Sequence, residues 1–187
     1  VVGDNSQRLL DSLKLALSRA DIVITTGGLG PTYDDVTKKA VADYFGLDME
    51  PHEPSVRKIE AFYQRRGAPM TPNNLLQAQV PAGATVFFNE AGFAPGFAVE
   101  QGGKTVIMLP GPPNELHPMF ERQVAPFLEK YTGATIRSRT IHIFGMGESL
   151  VEDTLRDLMT SSVNPTVAPY AKSGEVQVRV SAKAESA

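Results

Sequence analysis

The run Ile22-Val23-Ile24, followed directly by Thr26-Gly27-Gly28-Leu29-Gly30-Pro31-Thr32-Tyr33-Asp34-Asp35-Val36-Thr37, constrains this chain more than any other feature. Three β-branched residues without polar alternation, flanked by turn residues, predict a strand covered on both faces inside a parallel sheet. Three glycines in four residues then let the backbone turn tightly. Thr37 to Phe45 follows as a helix with Val36, Ala40, Val41 and Tyr44 on one face and Gly46 placed to end it. Strand, glycine loop and helix form the repeating unit of an α/β domain, whose ligands bind beyond the carboxyl ends of the strands.

The remaining elements extend that pattern. Asp4, Asn5 and Ser6 offer cap side chains to a helix with apolar positions from Leu9 to Leu17. The chain opens Val1-Val2-Gly3-Asp4 without Met, which reads as the tail of a strand ending at Asp4 and as a fragment short of an opening strand and helix. Pro54, Val56, Ile59, Phe62 and Tyr63 mark a helix ending at Gly67, its exposed side carrying Arg57, Lys58, Arg65 and Arg66 as a solvated face. Residues 73–79 predict a short helix and Thr85 to Phe88 a strand. Phe97 to Glu100 and Thr105 to Leu109 predict a hairpin turning at Gln101-Gly102-Gly103-Lys104. Pro110-Gly111-Pro112-Pro113 breaks the chain before a helix from Glu115 to Tyr131, kinked near Pro118 and Pro126. From Ile136 the composition changes to a β-α-β-β pattern. The expected organisation is thus a domain over 1–135 and a small α+β subdomain over 136–187.

Composition narrows the function. The net charge of −3, from 18 basic and 21 acidic residues, offers no positive field for nucleic acid or an anionic membrane. Cysteine is absent, which removes disulfides, thiolate nucleophiles and Cys-based zinc sites and fits the cytoplasm. His52, His117 and His142 lack ligand spacing, so a histidine metal site is not expected. The aromatic residues are assigned mostly to the core. The expected partner is a small phosphate-bearing molecule, bound by a homo-oligomer.

The glycine loop suits an anion, because bare N–H groups and the positive end of the next helix converge on one place. It matches neither the G-x-G-x-x-G dinucleotide spacing nor the Lys-Ser/Thr of a P-loop. Asp34 and Asp35 would repel a phosphate unless a divalent metal bridged Asp35 and the ligand. Equally, the glycines can serve only the turn, with one Asp capping the next helix. Pro110 to Leu116 is a second candidate wall, or simply a helix start with Glu115 favouring the dipole.

Four ordered motifs give a resemblance that covers the chain: Gly27 to Thr32 with Asp35-Val36-Thr37, Ala94-Pro95-Gly96-Phe97, Leu109 to Glu115, and Gly145-Met146-Gly147-Glu148-Ser149. Together they resemble the CinA family of competence/damage-inducible proteins. The resemblance implies a three-layer α/β/α molybdopterin-binding-like domain with a small α+β subdomain. It implies metal-dependent nucleotide pyrophosphatase activity on ADP-ribose-like substrates, or a non-hydrolytic module taking molybdopterin or a nucleotide. Gly27, Gly28 and Gly30 would then cradle phosphate, Asp35 and Asp4 would hold the metal and orient water, and Pro110, Gly111, Pro113 and Glu115 would form the opposite wall. Thr32, Asp34, Thr37 and Asn74 complete the expected binding set. The family pattern also has a lysine where this chain has Leu76, and a small hydroxyl residue where it has Phe93.

Overall fold

Asn5 opens the first helix, α1 (Ser6–Leu17), its side chain accepting a bond from the Arg8 N–H at 3.0 Å. Asp4 does not cap it. Val1 to Gly3 are irregular and exposed, so the strand expected to end at Asp4 is not formed. Two exposed valines and a glycine have no partner strand to satisfy their backbone groups in a sheet. The structure is a computed structural model and describes residues 1–131 and 133–185. It divides into two compact units, Val1–Phe127 and Leu128–Ala187.

In the first unit, β1 (Ile22–Thr26) leads through the glycine loop into α2 (Thr37–Phe45). A short antiparallel pair, β2 (Met49–Pro51) with β3 (Gln79–Pro81), flanks α3 (Glu53–Arg66) and a 3-10 turn over Pro72–Ala78. The strands β4 (Thr85–Phe87), β5 (Gly96–Gln101) and β6 (Lys104–Leu109) complete a sheet of order β1-β6-β5-β4. The hairpin appears as the sequence predicts, with Gln101 opposite Lys104. Only β1 and β6 run parallel. Strand β1 stands at an edge, paired with β6 alone, and Ile24 is 44% exposed, contrary to the expected burial on both faces. A β-branched run sets strand conformation; its neighbours are supplied by distant segments that the run itself does not encode.

Alternation along β6 builds two faces. Val106 and Met108 join Val99 and Phe97 with Leu13 and Leu17 of α1 and Val41 of α2 in one core. Each such fully buried side chain is worth roughly 1.5–3 kcal/mol over its exposed state. On the other face Met119 lies against Gly96, and the Phe87 and Phe127 rings meet edge-on at 5.4 Å between centroids. Helices therefore cover both faces of the sheet. The segment after β6 is α4 (Pro113–Met119), a wider π turn over Phe120–Val124, and α5 (Ala125–Glu129). The kink expected from the prolines is realised as this π turn, a usual cause of helix bending.

The second unit holds β7 (Thr135–Ile143), α6 (Glu148–Ser161), β8 (Thr166–Lys172) and β9 (Glu175–Ala184), with sheet order β7-β9-β8 and antiparallel pairing throughout. Val176 and Val178 of β9 pack with Val151 of α6 as its core. No helix among the described residues is long and apolar enough to cross a membrane.

Candidate functional site

The two loops beyond the carboxyl ends of β1 and β6 meet. The Gly27 N–H donates to the Leu109 carbonyl at 2.9 Å, and a Cβ on Gly111 would lie 3.5 Å from the Gly27 Cα. With the segment 91–94, these loops enclose a crevice of about 480 Å³. Its walls are Gly27, Gly28, Leu29, Gly30 and Asp35 on the β1 side, Ala91 to Ala94 with Gln77, and Pro110 to Pro112 with Glu115.

The glycine loop needs its glycines for different reasons. Gly27 and Gly28 have φ of +86° and +69°, where side chains are strained. A Cβ on Gly28 would also overlap the Thr37 hydroxyl, so Thr37 sits behind the loop as its support. Gly30 has no such φ, but a Cβ there would come 2.5 Å from Asp35 Oδ2. Backbone accounting narrows the donors. The Gly27 N–H is committed to Leu109, and that of Gly30 to the Asp35 carboxylate, which leaves those of Gly28 and Leu29 as the uncommitted donors of the glycine loop.

Asp35 does not cap α2; Val36 occupies that position without a side-chain bond. Instead Asp35 turns back on its own loop, with Oδ2 accepting the Thr32 N–H at 2.9 Å and the Thr32 hydroxyl at 2.5 Å. Burial pushes its pKa up, but the Thr32 bonds, the Gly30 N–H and the Lys38 charge outweigh this and hold it below 3.8. Asp35 is thus ionised and closes the loop. Thr32 and Asp34 line an adjoining open depression with Tyr33, Asn73 and Leu76 rather than the crevice. Tyr33, 97% exposed there, and Phe144, also exposed, are exceptions to the expectation that the aromatic residues lie mostly in the core.

Lys38 was not anticipated as a site residue. Only 7% exposed, its ammonium donates to the Leu29 carbonyl at 3.3 Å and to the Leu76 carbonyl. Tyr44, expected on the buried face of α2, is 36% exposed. Burial lowers the Lys38 pKa to about 8 against the opposing pull of Asp35. The cation that the sequence lacks at Leu76 is therefore supplied to that backbone from the next wall. The Leu76 side chain itself is exposed.

The opposite wall hangs on Asn89, which is 2% exposed. Its Nδ2 donates to the Ala94 carbonyl at 2.8 Å and to Glu115 Oε2 at 2.6 Å, while its Oδ1 accepts the Ala91 and Gly92 N–H groups at 3.1 and 2.7 Å. A Cβ on Gly92 would overlap the Glu115 carboxylate. Lys58, expected on a solvated face, instead donates from α3 to the carbonyls of Asn89, Glu90 and Gly92 at 2.7, 2.8 and 2.8 Å, with its ammonium 5.4 Å from the Phe88 ring centroid. The three loop carbonyls match the three donors of the ammonium.

Of the remaining expected residues, Pro110 and Gly111 line the crevice, whereas Pro113 begins α4 and Pro112 takes the lining position. Asn74 closes the capping box of the 3-10 turn, accepting the N–H of its cap residue Thr71 at 2.9 Å, and Gln77 of the same turn lines the crevice. Asp4 is outside the crevice lining. Among the described residues no group of three or more His, Asp or Glu side chains is arranged to hold a metal.

Residues 1–130 match the family described as a probable molybdopterin binding domain, and residues 138–187 match the CinA KH domain of damage-inducible proteins. The chain belongs to the CinA family. A competence-damage inducible protein of Caldicellulosiruptor bescii is 50% identical over 185 residues, and a CinA-like protein of Dictyoglomus turgidum 47%, each match covering 99% of this chain. The chain spans 45% of the length of these relatives. The crystal structure of CinA from Thermoplasma acidophilum, a protein of unknown function, is 32% identical with a TM-score of 0.56, covering 68% of this chain and 72% of that one. The CinA family and its molybdopterin-binding-like α/β fold, expected from the four motifs, are thereby established for this chain.

Proposed function

We propose that the crevice binds a nucleotide diphosphate of the ADP-ribose type and hydrolyses its pyrophosphate bond with a divalent metal, in the cytoplasm. The observation that carries this is that the glycine loop, with its uncommitted Gly28 and Leu29 N–H groups, lines one crevice with an ionised Asp35. The N–H groups hold phosphate oxygens and orient the phosphorus. Asp35 is an ionised carboxylate in the crevice wall, and a single carboxylate joined by ligand phosphates and water is a common way to hold Mg²⁺. The donor set therefore fits a metal that arrives with its substrate, held by Asp35 without Asp4. Such an ion would supply a more acidic water and neutralise the charge developing on the phosphate. Asp35 would keep that ion beside the loop, and Glu115 would face the part of the ligand that carries no charge.

A second reading is a binding module for a nucleotide or molybdopterin without hydrolysis. It is favoured by the commitment of the Lys38 ammonium to two carbonyls, since that charge is then spent on the loop rather than on a leaving phosphate. A mass-spectrometric turnover assay separates them. The full-length protein with Mg²⁺ or Mn²⁺ is expected to release AMP and ribose 5-phosphate from ADP-ribose, and Asp35→Ala to lose this at least 100-fold, roughly the weight of a few kcal/mol of charge stabilisation. Binding without release, across several divalent metals, would favour the second reading.

A further inference from the structure

The acidic end of the crevice is held more firmly than a substrate-lining carboxylate needs for its own packing. Asn89 uses all four of its hydrogen-bonding positions, two on the Ala91 and Gly92 N–H groups, one on the Ala94 carbonyl and one on Glu115 Oε2. Lys58 clamps the same loop from outside through three carbonyls, and the bare Gly92 makes room for the carboxylate. Glu115 Oε2 is thereby fixed, on a residue that lines the crevice. An ionised carboxylate only accepts hydrogen bonds. It repels phosphate, so it must meet a neutral donor on a ligand whose phosphates lie at Gly28 and Leu29.

We infer that Asn89 is a positioning residue that aims Glu115 at sugar hydroxyls of the bound phosphate ester, making this end of the crevice a hydroxyl-reading subsite. This rests on the phosphate-binding reading above. Hydroxyl recognition by a pre-set acceptor discriminates strongly, because a ligand lacking the donor leaves a buried acceptor unpaired. Phe93, beside Glu115 in the wall, gives that part of the ligand a flat apolar surface.

Asn89→Asp tests it: the retained oxygen still accepts from Ala91 and Gly92, while the new one replaces the amide donor to Ala94 and Glu115 with a second carboxyl, so Glu115 is no longer aimed by a neutral donor. Calorimetry on the full-length protein compares inorganic pyrophosphate with ADP-ribose, for wild type, Asn89→Asp and Glu115→Gln. Both variants should lose tenfold or more in affinity for ADP-ribose and little or none for pyrophosphate. Equal losses for both probes would mean that Asn89 only shapes the loop, and no loss for either would mean that Glu115 reads nothing; each result overturns the inference and leaves phosphate binding standing. Failure of wild type to bind pyrophosphate and ADP-ribose would bring down both. An analogue of ADP-ribose without the relevant sugar hydroxyls should bind wild type as weakly as the variants bind ADP-ribose; if removal of the adenine amino group does this instead, the subsite reads the base and the inference fails. Should Asn89→Asp fold poorly by thermal melting, Glu115→Gln carries the same comparison, since it keeps an oxygen and the shape of the side chain.

Discussion

Lys38→Met isolates the buried ammonium behind the glycine loop. In the native protein the Lys38 pKa is about 8, against an ordinary 10.5. Below pH 8 native and unfolded chains both carry the charge, and above 10.5 neither does. Between these values the unfolded chain holds a proton that the native chain has released, so stability rises with pH across the window. At about 1.4 kcal/mol per pH unit, the full interval from 8 to 10.5 corresponds to about 3 kcal/mol. Methionine has a similar length and does not titrate. It removes the burial penalty of the charge but leaves the Leu29 and Leu76 carbonyls without their donor, at about 1–3 kcal/mol. Near pH 7 the two effects offset and the variant should lie within about 2 kcal/mol of wild type. Urea denaturation of both proteins followed by far-UV circular dichroism, between pH 7 and 10.5, isolates Lys38 because the other groups cancel in the difference. Wild type should gain on the variant by about 3 kcal/mol toward high pH. Parallel stability curves would show that the ammonium is not buried as described.

Two further perturbations address the loop itself. Gly28→Ala places a Cβ at φ of +69° against the Thr37 hydroxyl, and should cost about 1–3 kcal/mol with loss of pyrophosphate affinity, by thermal melting and calorimetry. Asp35→Asn removes a carboxylate whose native pKa lies below 3.8, so the stability it contributes at neutral pH is lost in wild type as pH falls through that native pKa; the variant should show a shallower acid limb in the same denaturation series.

What could be read from the residues was whatever is local. The β-branched run, the glycine loop and the helix ending at Gly46 are consecutive, and each reports its conformation through its own backbone preferences. The hairpin of β5 and β6 likewise carries its turn within four residues. The loop and the Pro110 to Glu115 segment pointed to one crevice because both follow strands. Asn89 and Lys58 were invisible for the opposite reason: their partners lie up to 34 residues away, and a lone Asn or a Lys on a helix face carries no periodic signal. Lys38 was overlooked because lysine is almost never fully buried without partners, and here the partners are carbonyls that no side-chain pattern displays. The strand expected to end at Asp4 rests on two valines, too short a run to specify one.

The crevice walls are tied together by main-chain bonds and fully engaged side chains, from Gly27 to Leu109 across its floor and from Asn89 to Glu115 across its far side. Such bonds would make the cleft a gauge set before any ligand arrives, rather than a hand that closes on it. On the proposed reading its selectivity would be exerted through the spacing between the donors at Gly28 and the acceptor at Glu115, which would set the length of ligand that fits.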